Sequence, residues 1–239
     1  MNITIPKAVI FDLDDTLYSY QICHSLALKK VKYKLKNDFG VAEETFISLY
    51  NKANNEVKIT LGNVSASHNK FLYFKKILEK IGLKPYIYTA LDMEAIYWQT
   101  FFDNMLPFNG LRDFFETLRF LNIKSGIITN FSAHHQFKKI MHLGIEDYID
   151  HMICSEELGL EKPQPRLFEE MVNALDVSFG DVWMIGNSIK EDIDPAKETI
   201  GADTFLISDK KIKKSKKSKI DFVIKDFILI NKKLLKLNI

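Results

Sequence analysis

Lys7-Ala8-Val9-Ile10-Phe11-Asp12-Leu13-Asp14-Asp15-Thr16 is a short apolar run that stops abruptly at three acidic residues. Such a run, with β-branched residues at its centre, predicts a strand buried on both faces, as in a parallel sheet. The residues just after such a strand stand where α/β sheets bind their ligands. Three carboxylates within four positions repel one another, and an unpaired buried charge is costly. They therefore require exposure or a neighbouring cation. A calcium loop of EF-hand type would meet that need, but it requires a preceding helix, Gly at its sixth place and Glu at its twelfth. Here a strand precedes, and those places hold Leu17 and Cys23.

Working outward, similar runs recur at 124–129, 149–154, 181–186 and 203–207, with a weaker one at 221–225. Helical patterns lie between them: Leu111, Phe114, Leu118 and Leu121; Phe137, Ile140 and Met141; Phe168, Met171, Val172 and Leu175. Strands alternating with helices predict right-handed βαβ units and an α/β fold with a doubly wound parallel sheet. The rhythm breaks between 19 and 106, where four consecutive amphipathic helices are expected. Their stripes are Leu28, Val31, Leu35 and Phe39; Phe46, Leu49, Tyr50, Ala53 and Val57; Phe71, Phe74, Leu78 and Ile81; and Leu91, Ala95, Trp98, Phe102 and Met105. Gly40, Gly62 and the segment 82–85 punctuate them. Thr89 is read as the N-cap of the fourth helix, with Asp92 in its first turn. Residues 227–237 read as a terminal helix, and the lysine-rich run 210–219 as a solvated loop.

Composition narrows the classes. The 239 residues suffice for one large domain or two modest ones. With 46% hydrophobic and 27% charged residues, the chain can bury a core, so disorder is not expected. A net charge of +2 gives no reason to expect a nucleic-acid or membrane partner. Cys23 and Cys154 have no zinc-ligand spacing and read as free thiols of a reducing compartment. The run at 8–11 is too short for a secretory signal, and no run approaches the roughly 18 apolar residues of a membrane helix. A cytoplasmic location is the expectation.

Four strings then align with one family. Asp12-x-Asp14-x-Thr16 after a strand resembles the first motif of the haloacid-dehalogenase-like (HAD) hydrolase superfamily. Ile127-Ile128-Thr129-Asn130 resembles its second. Lys162-Pro163-Gln164-Pro165 with Phe168 resembles the Lys-Pro-x-Pro-x-x-Phe signature of its third, and Gly186-Asn187-Ser188 with Asp192 its fourth. The resemblance covers essentially the whole predicted core. It implies a Rossmannoid HAD core formed by residues 1–18 and 107–239, with 19–106 as an inserted helical cap.

The resemblance also implies roles. Asp12 would be the nucleophile and Asp14 the general acid/base, which needs two carboxyls with different affinities for a proton. Thr129, the backbone around Asn130, and Lys162 would hold the phosphoryl group. Mg²⁺ would be the cofactor, held by Asp12, Asp14 and a group of the fourth motif, Asn187 or Asp192. The family usually has Asp where this chain has Asn187, so weaker metal affinity is expected. Glu191 and Asp194 read as solvent-side acids, Asp15 as non-catalytic, His134 and His135 as surface, and Thr16 as a turn residue. Tyr18, Tyr20, Gln21 and His24 are candidates to line the substrate pocket.

The expected reaction is Mg²⁺-dependent hydrolysis of a small phosphomonoester through an aspartyl-phosphate. Sugar phosphates, phospho-acids and nucleoside monophosphates all fit a capped site, in a monomer or homodimer. Asp14 argues against dehalogenase and phosphonatase chemistry, which do not keep an acid there. A phosphomutase stays open, as does a non-catalytic phosphate- or protein-binding module with weakened metal binding.

Overall fold

The computed structural model describes residues 4–84, 86–210 and 219–237. The interior of the lysine-rich run, 211–218, and Pro85 lie outside them.

Among the described residues six strands form one sheet: β1 (Ala8–Phe11), β2 (Lys124–Thr129), β3 (His151–Cys154), β4 (Val182–Gly186), β5 (Asp203–Ile207) and β6 (Phe222–Ile224). All are parallel, in the order β3-β2-β1-β4-β5-β6. The chain winds outward from β1 through β2 to β3, then returns to the other side of β1 with β4. That reversal opens a crevice at the C-terminal ends of β1 and its neighbours. Phe11 pairs with both Ile127 and Ile185, and the Asp12 N–H donates to the Ile185 carbonyl at 3.0 Å. The sheet thus carries its register up to the first acidic residue.

Alternation along β1 feeds two layers. Ala8 and Ile10 join a core with Phe168, Met171 and Val172 of α8 (Pro165–Ala174) and Ala196 and Ile200 of α9 (Asp194–Ile200). Phe11 faces the opposite way, its ring against Phe114 and Phe115 of α5 (Leu111–Phe120) and Phe227 of α10 (Phe227–Leu237). Two further helices, α6 (Ala133–Leu143) and α7 (Ser155–Leu158), follow β2 and β3. Both sheet faces are therefore covered, which is why the strands read as unbroken apolar runs.

The chain divides into two compact units, Met1–Ser19 with Leu106–Ile239, and Tyr20–Met105. Within the first, Tyr18 and Pro107 form an antiparallel bridge, and the Phe108 N–H donates to the Leu17 carbonyl at 2.8 Å. The second is made of α1 (Tyr20–Phe39), α2 (Glu43–Leu61), α3 (Lys70–Lys80) and α4 (Ile87–Asp103). There α1 packs on α4, α2 on α3, and α3 on α4.

Helix rotation is where the structure corrects the sequence reading. In α4 the buried stripe is Ala90, Met93, Tyr97 and Phe101, whereas Leu91 and Ala95 are exposed. Apolar residues occupy two stripes about 100° apart, so periodicity alone does not choose between them. The choice is made where the Tyr97 hydroxyl meets His24 Nδ1 at 2.6 Å. In α1 the stripe is Cys23, Ala27, Val31 and Leu35, with Phe39 exposed. Thr89 is not a cap: α4 begins at Ile87, so Thr89 sits inside its first turn, and Asp92 pairs with Lys34 at 2.6 Å. Among the described residues no helix is long and apolar enough to cross a membrane.

Candidate active site

The turn after β1 is anchored by Leu13 and Leu17, both fully buried. The Thr16 and Leu17 N–H groups fold back on the Leu13 carbonyl at 3.3 and 3.0 Å. Asp15 adopts φ 60°, a left-handed conformation that Asp tolerates better than most residues. With the two leucines committed to the core, Asp12 and Asp14 face a cavity of about 320 Å³. Thr129, Asn130, Lys162, Asn187, Ser188 and Glu191 complete its lining.

Asp12 is buried, and both its oxygens are engaged. Lys162 Nζ donates to Oδ1 at 2.6 Å and the Thr16 hydroxyl to Oδ2 at 2.6 Å. Lys162 also reaches Asp192 Oδ1 at 2.7 Å. Its own main-chain N–H donates to Asn130 Oδ1 at 2.9 Å, which ties the end of β2 to the lysine loop. Two buried carboxylates thus share one buried ammonium. Burial, followed in weight by Lys162 and then by the Asp192 charge, leaves the Asp12 carboxyl raised to about 6. Burial opposes the charge on Lys162, but Asp12 and Asp192 outweigh it and raise its pKa.

Asp192 lies behind the cavity rather than in its lining. Its Oδ1 takes Lys162, and its Oδ2 accepts the Ser188 N–H at 2.9 Å. Asn187 lines the cavity directly, and Glu191, although exposed, lines it too. Asp194 accepts the Lys219 N–H at 3.3 Å. His134 is exposed and His135 pairs with Ser132, so neither joins the cavity lining.

Two residues escaped the sequence reading. Lys139 Nζ stands 2.8 Å from both Asp14 oxygens, and the Tyr18 hydroxyl also donates to that carboxylate. Gln136 Nε2 lies 2.5 Å from Thr129 Oγ1 and 2.9 Å from the Asn130 carbonyl. Both come from α6, whose buried face is Gln136, Lys139, Ile140 and Leu143, while Phe137 and Met141 point outward. The apolar stripe expected at Phe137, Ile140 and Met141 is thereby corrected. The available signal was the i, i+3, i+4, i+7 spacing itself, once polar residues are admitted to it.

Among the described residues no three His, Cys, Asp or Glu side chains converge to form a metal cage. The donors at hand are instead the Asp12 carboxylate, the chain around Asp14 and the Asn187 amide oxygen, beside an excess of buried negative charge. That set fits a hard cation that keeps several waters, Mg²⁺ above all.

The chain is 34% identical to the ribulose-1,5-bisphosphate 5-phosphatase of Halopiger xanaduensis, over 83% of each chain. It is 29% identical to a glyceraldehyde 3-phosphate phosphatase of Methanopyrus kandleri, over 78% of each. The fold matches the crystal structure of the HAD-hydrolase YfnB of Bacillus subtilis bound to magnesium. That match has a TM-score of 0.71 at 20% identity, covering 98% of this chain and 99% of the other. The family model for haloacid dehalogenase-like hydrolases matches residues 6–198, and this chain belongs to that family.

Proposed function

We propose that this chain is a phosphatase that hydrolyses a small phosphorylated sugar, with Asp12 as nucleophile and Mg²⁺ as cofactor. The observation that carries this reading is the buried Asp12–Lys162 contact of 2.6 Å, opening on a cavity that Thr129 and Asn130 also line. A carboxylate is a weak nucleophile, so the phosphoryl group must be held in line and its charge offset. Lys162 supplies a fixed positive charge, and the Thr129 hydroxyl and the backbone at Asn130 supply donors. Thr16 and Lys162 together hold the Asp12 carboxylate in one orientation. Asp14 protonates the leaving oxygen and afterwards takes the proton of the attacking water. Mg²⁺, when held by Asp12, the Asp14 carbonyl and Asn187, would offset phosphate charge. Asp192 acts through Lys162. The relatives named above act on ribulose 1,5-bisphosphate and glyceraldehyde 3-phosphate, which favours a sugar phosphate over a nucleotide. Two buried free thiols suit a reducing, cytoplasmic setting.

Turnover of p-nitrophenyl phosphate and of both sugar phosphates, with and without Mg²⁺, tests the reading beside Asp12→Asn. Wild-type turnover that needs Mg²⁺ and vanishes in the variant is expected. Equal background in both proteins would instead support a non-catalytic phosphate-binding module, the reading that Asn187 favours.

A further inference from the structure

We propose that Lys139 is a positioning residue for Asp14, holding the second carboxyl group in one place and orientation for its part in proton transfer. The inference rests on the phosphatase reading above. Lys139 is fully buried, yet the carboxylate it meets is partly exposed: the two side chains are 1% and 29% accessible. Burying an ammonium has a desolvation cost that a partly exposed partner repays poorly, so the pair is a weak source of fold stability. Its geometry is specific all the same. Nζ lies 2.8 Å from each Asp14 oxygen, and the Tyr18 hydroxyl donates to the same group. One turn earlier on the same face of α6, Gln136 donates to Thr129 and the Asn130 carbonyl and lies 3.4 Å from Asp14 Oδ2. One helix face thus braces both the proton-handling carboxyl and the hydroxyl expected at the phosphoryl group.

The step this serves is the first half-reaction. An Asp12 oxygen forms a bond to phosphorus as the bond from phosphorus to the leaving oxygen breaks. That bond pair stays on the leaving oxygen, which takes the proton from the Asp14 carboxyl. Asp14 is left as a carboxylate facing the Lys139 ammonium. The two-oxygen contact keeps the carboxyl aimed at the leaving oxygen and stops it from swinging away. Leaving groups stable as anions need no proton and should not depend on Lys139, whereas basic ones should.

The test is kcat/KM for a series of phosphomonoesters of graded leaving-group basicity, from p-nitrophenyl phosphate to glycerol 3-phosphate, with Mg²⁺ present. This ratio reports the half-reaction in question. Lys139→Met and Lys139→Gln are expected to steepen the dependence on leaving group. The loss should be about 100-fold for the alkyl ester, a general-acid-sized effect, and roughly threefold or less for p-nitrophenyl phosphate. Lys139→Arg, which keeps the charge, should restore the shallow dependence. A uniform loss across the series in a variant whose melting curve is intact, or failure of Arg to rescue, overturns the proposal. If Asp12→Asn retains wild-type turnover, the phosphatase reading itself has failed, which is a separate result.

Discussion

At the scale of single residues, the charges around Asp12 do not balance. Asp12 and Asp192 are both buried, and Lys162 is the ammonium between them. Burial, opposed chiefly by Lys162, lifts the Asp12 pKa from the ordinary 3.8 to about 6. A carboxyl whose pKa is raised on folding adds stability that is fully present below about 3.8 and is lost as the pH climbs through about 6. Asparagine carries no such dependence. Metal-free Asp12→Asn is therefore expected to melt above the wild type at pH 8, with the gap closing below pH ~4. In a chain of this length each kcal/mol gained corresponds to about 2–4 °C. Thermal melts at the two pH values check this, and a variant that melts no higher at pH 8 contradicts it. The loss of the proposed nucleophile would thus coincide with a gain in stability, as expected where function holds a charge in an unfavourable place.

At the scale of elements, the end of β4 shows how a loop is shaped around one side chain. Gly186 closes the strand because a Cβ there would stand 2.5 Å from the Asp192 carboxyl. The following turn, Ile189–Ile193, is a π-helical turn capped by Ser188, whose Oγ accepts the Glu191 N–H at 3.2 Å. Asp192 then closes back on the Ser188 N–H. Gly186→Ala should push Asp192 away from Lys162, costing about 1–3 kcal/mol of stability as overpacking does. A displaced lysine should also lower kcat by about 10-fold or more, since misplacement by 1 Å can cost 100-fold. Melting temperature and p-nitrophenyl phosphate turnover, measured together, decide it; wild-type kcat would show that Asp192 does not position Lys162. The same lesson holds for α6. Phe137 and Met141 are apolar and exposed, while Gln136 and Lys139 are polar and buried, because that face meets Thr129 and Asp14, which satisfy their polar atoms.

At the scale of the molecule, strand order brings together groups that are 150 positions apart, Asp12 and Lys162. The cavity they open on holds Asn187, which offers a carbonyl oxygen without a charge. Asn187→Asp is expected to lower the Mg²⁺ concentration for half-maximal activity. By mass action it should also enlarge the rise in melting temperature on adding Mg²⁺ alone. An unchanged requirement and an unchanged shift would place Asn187 away from the metal.

The parallel sheet was legible from the sequence because its inner strands, covered on both faces, read as apolar runs, and β1, β2 and β4 end at or beside candidate site residues. Asp12 was legible from the acids that end the first apolar run, and Thr129, Lys162 and Asn187 from short strings that resemble the motifs of one family. Local sequence determined that much, since strand burial and motif spacing are properties of a few consecutive residues. Tertiary structure alone decided which way α4 and α6 are rotated. It alone set Lys139 against Asp14, and it spent both Asp192 oxygens on Lys162 and Ser188. Those outcomes depend on which distant group lies opposite, and a helix with two usable faces turns toward whichever neighbour satisfies its buried polar atoms.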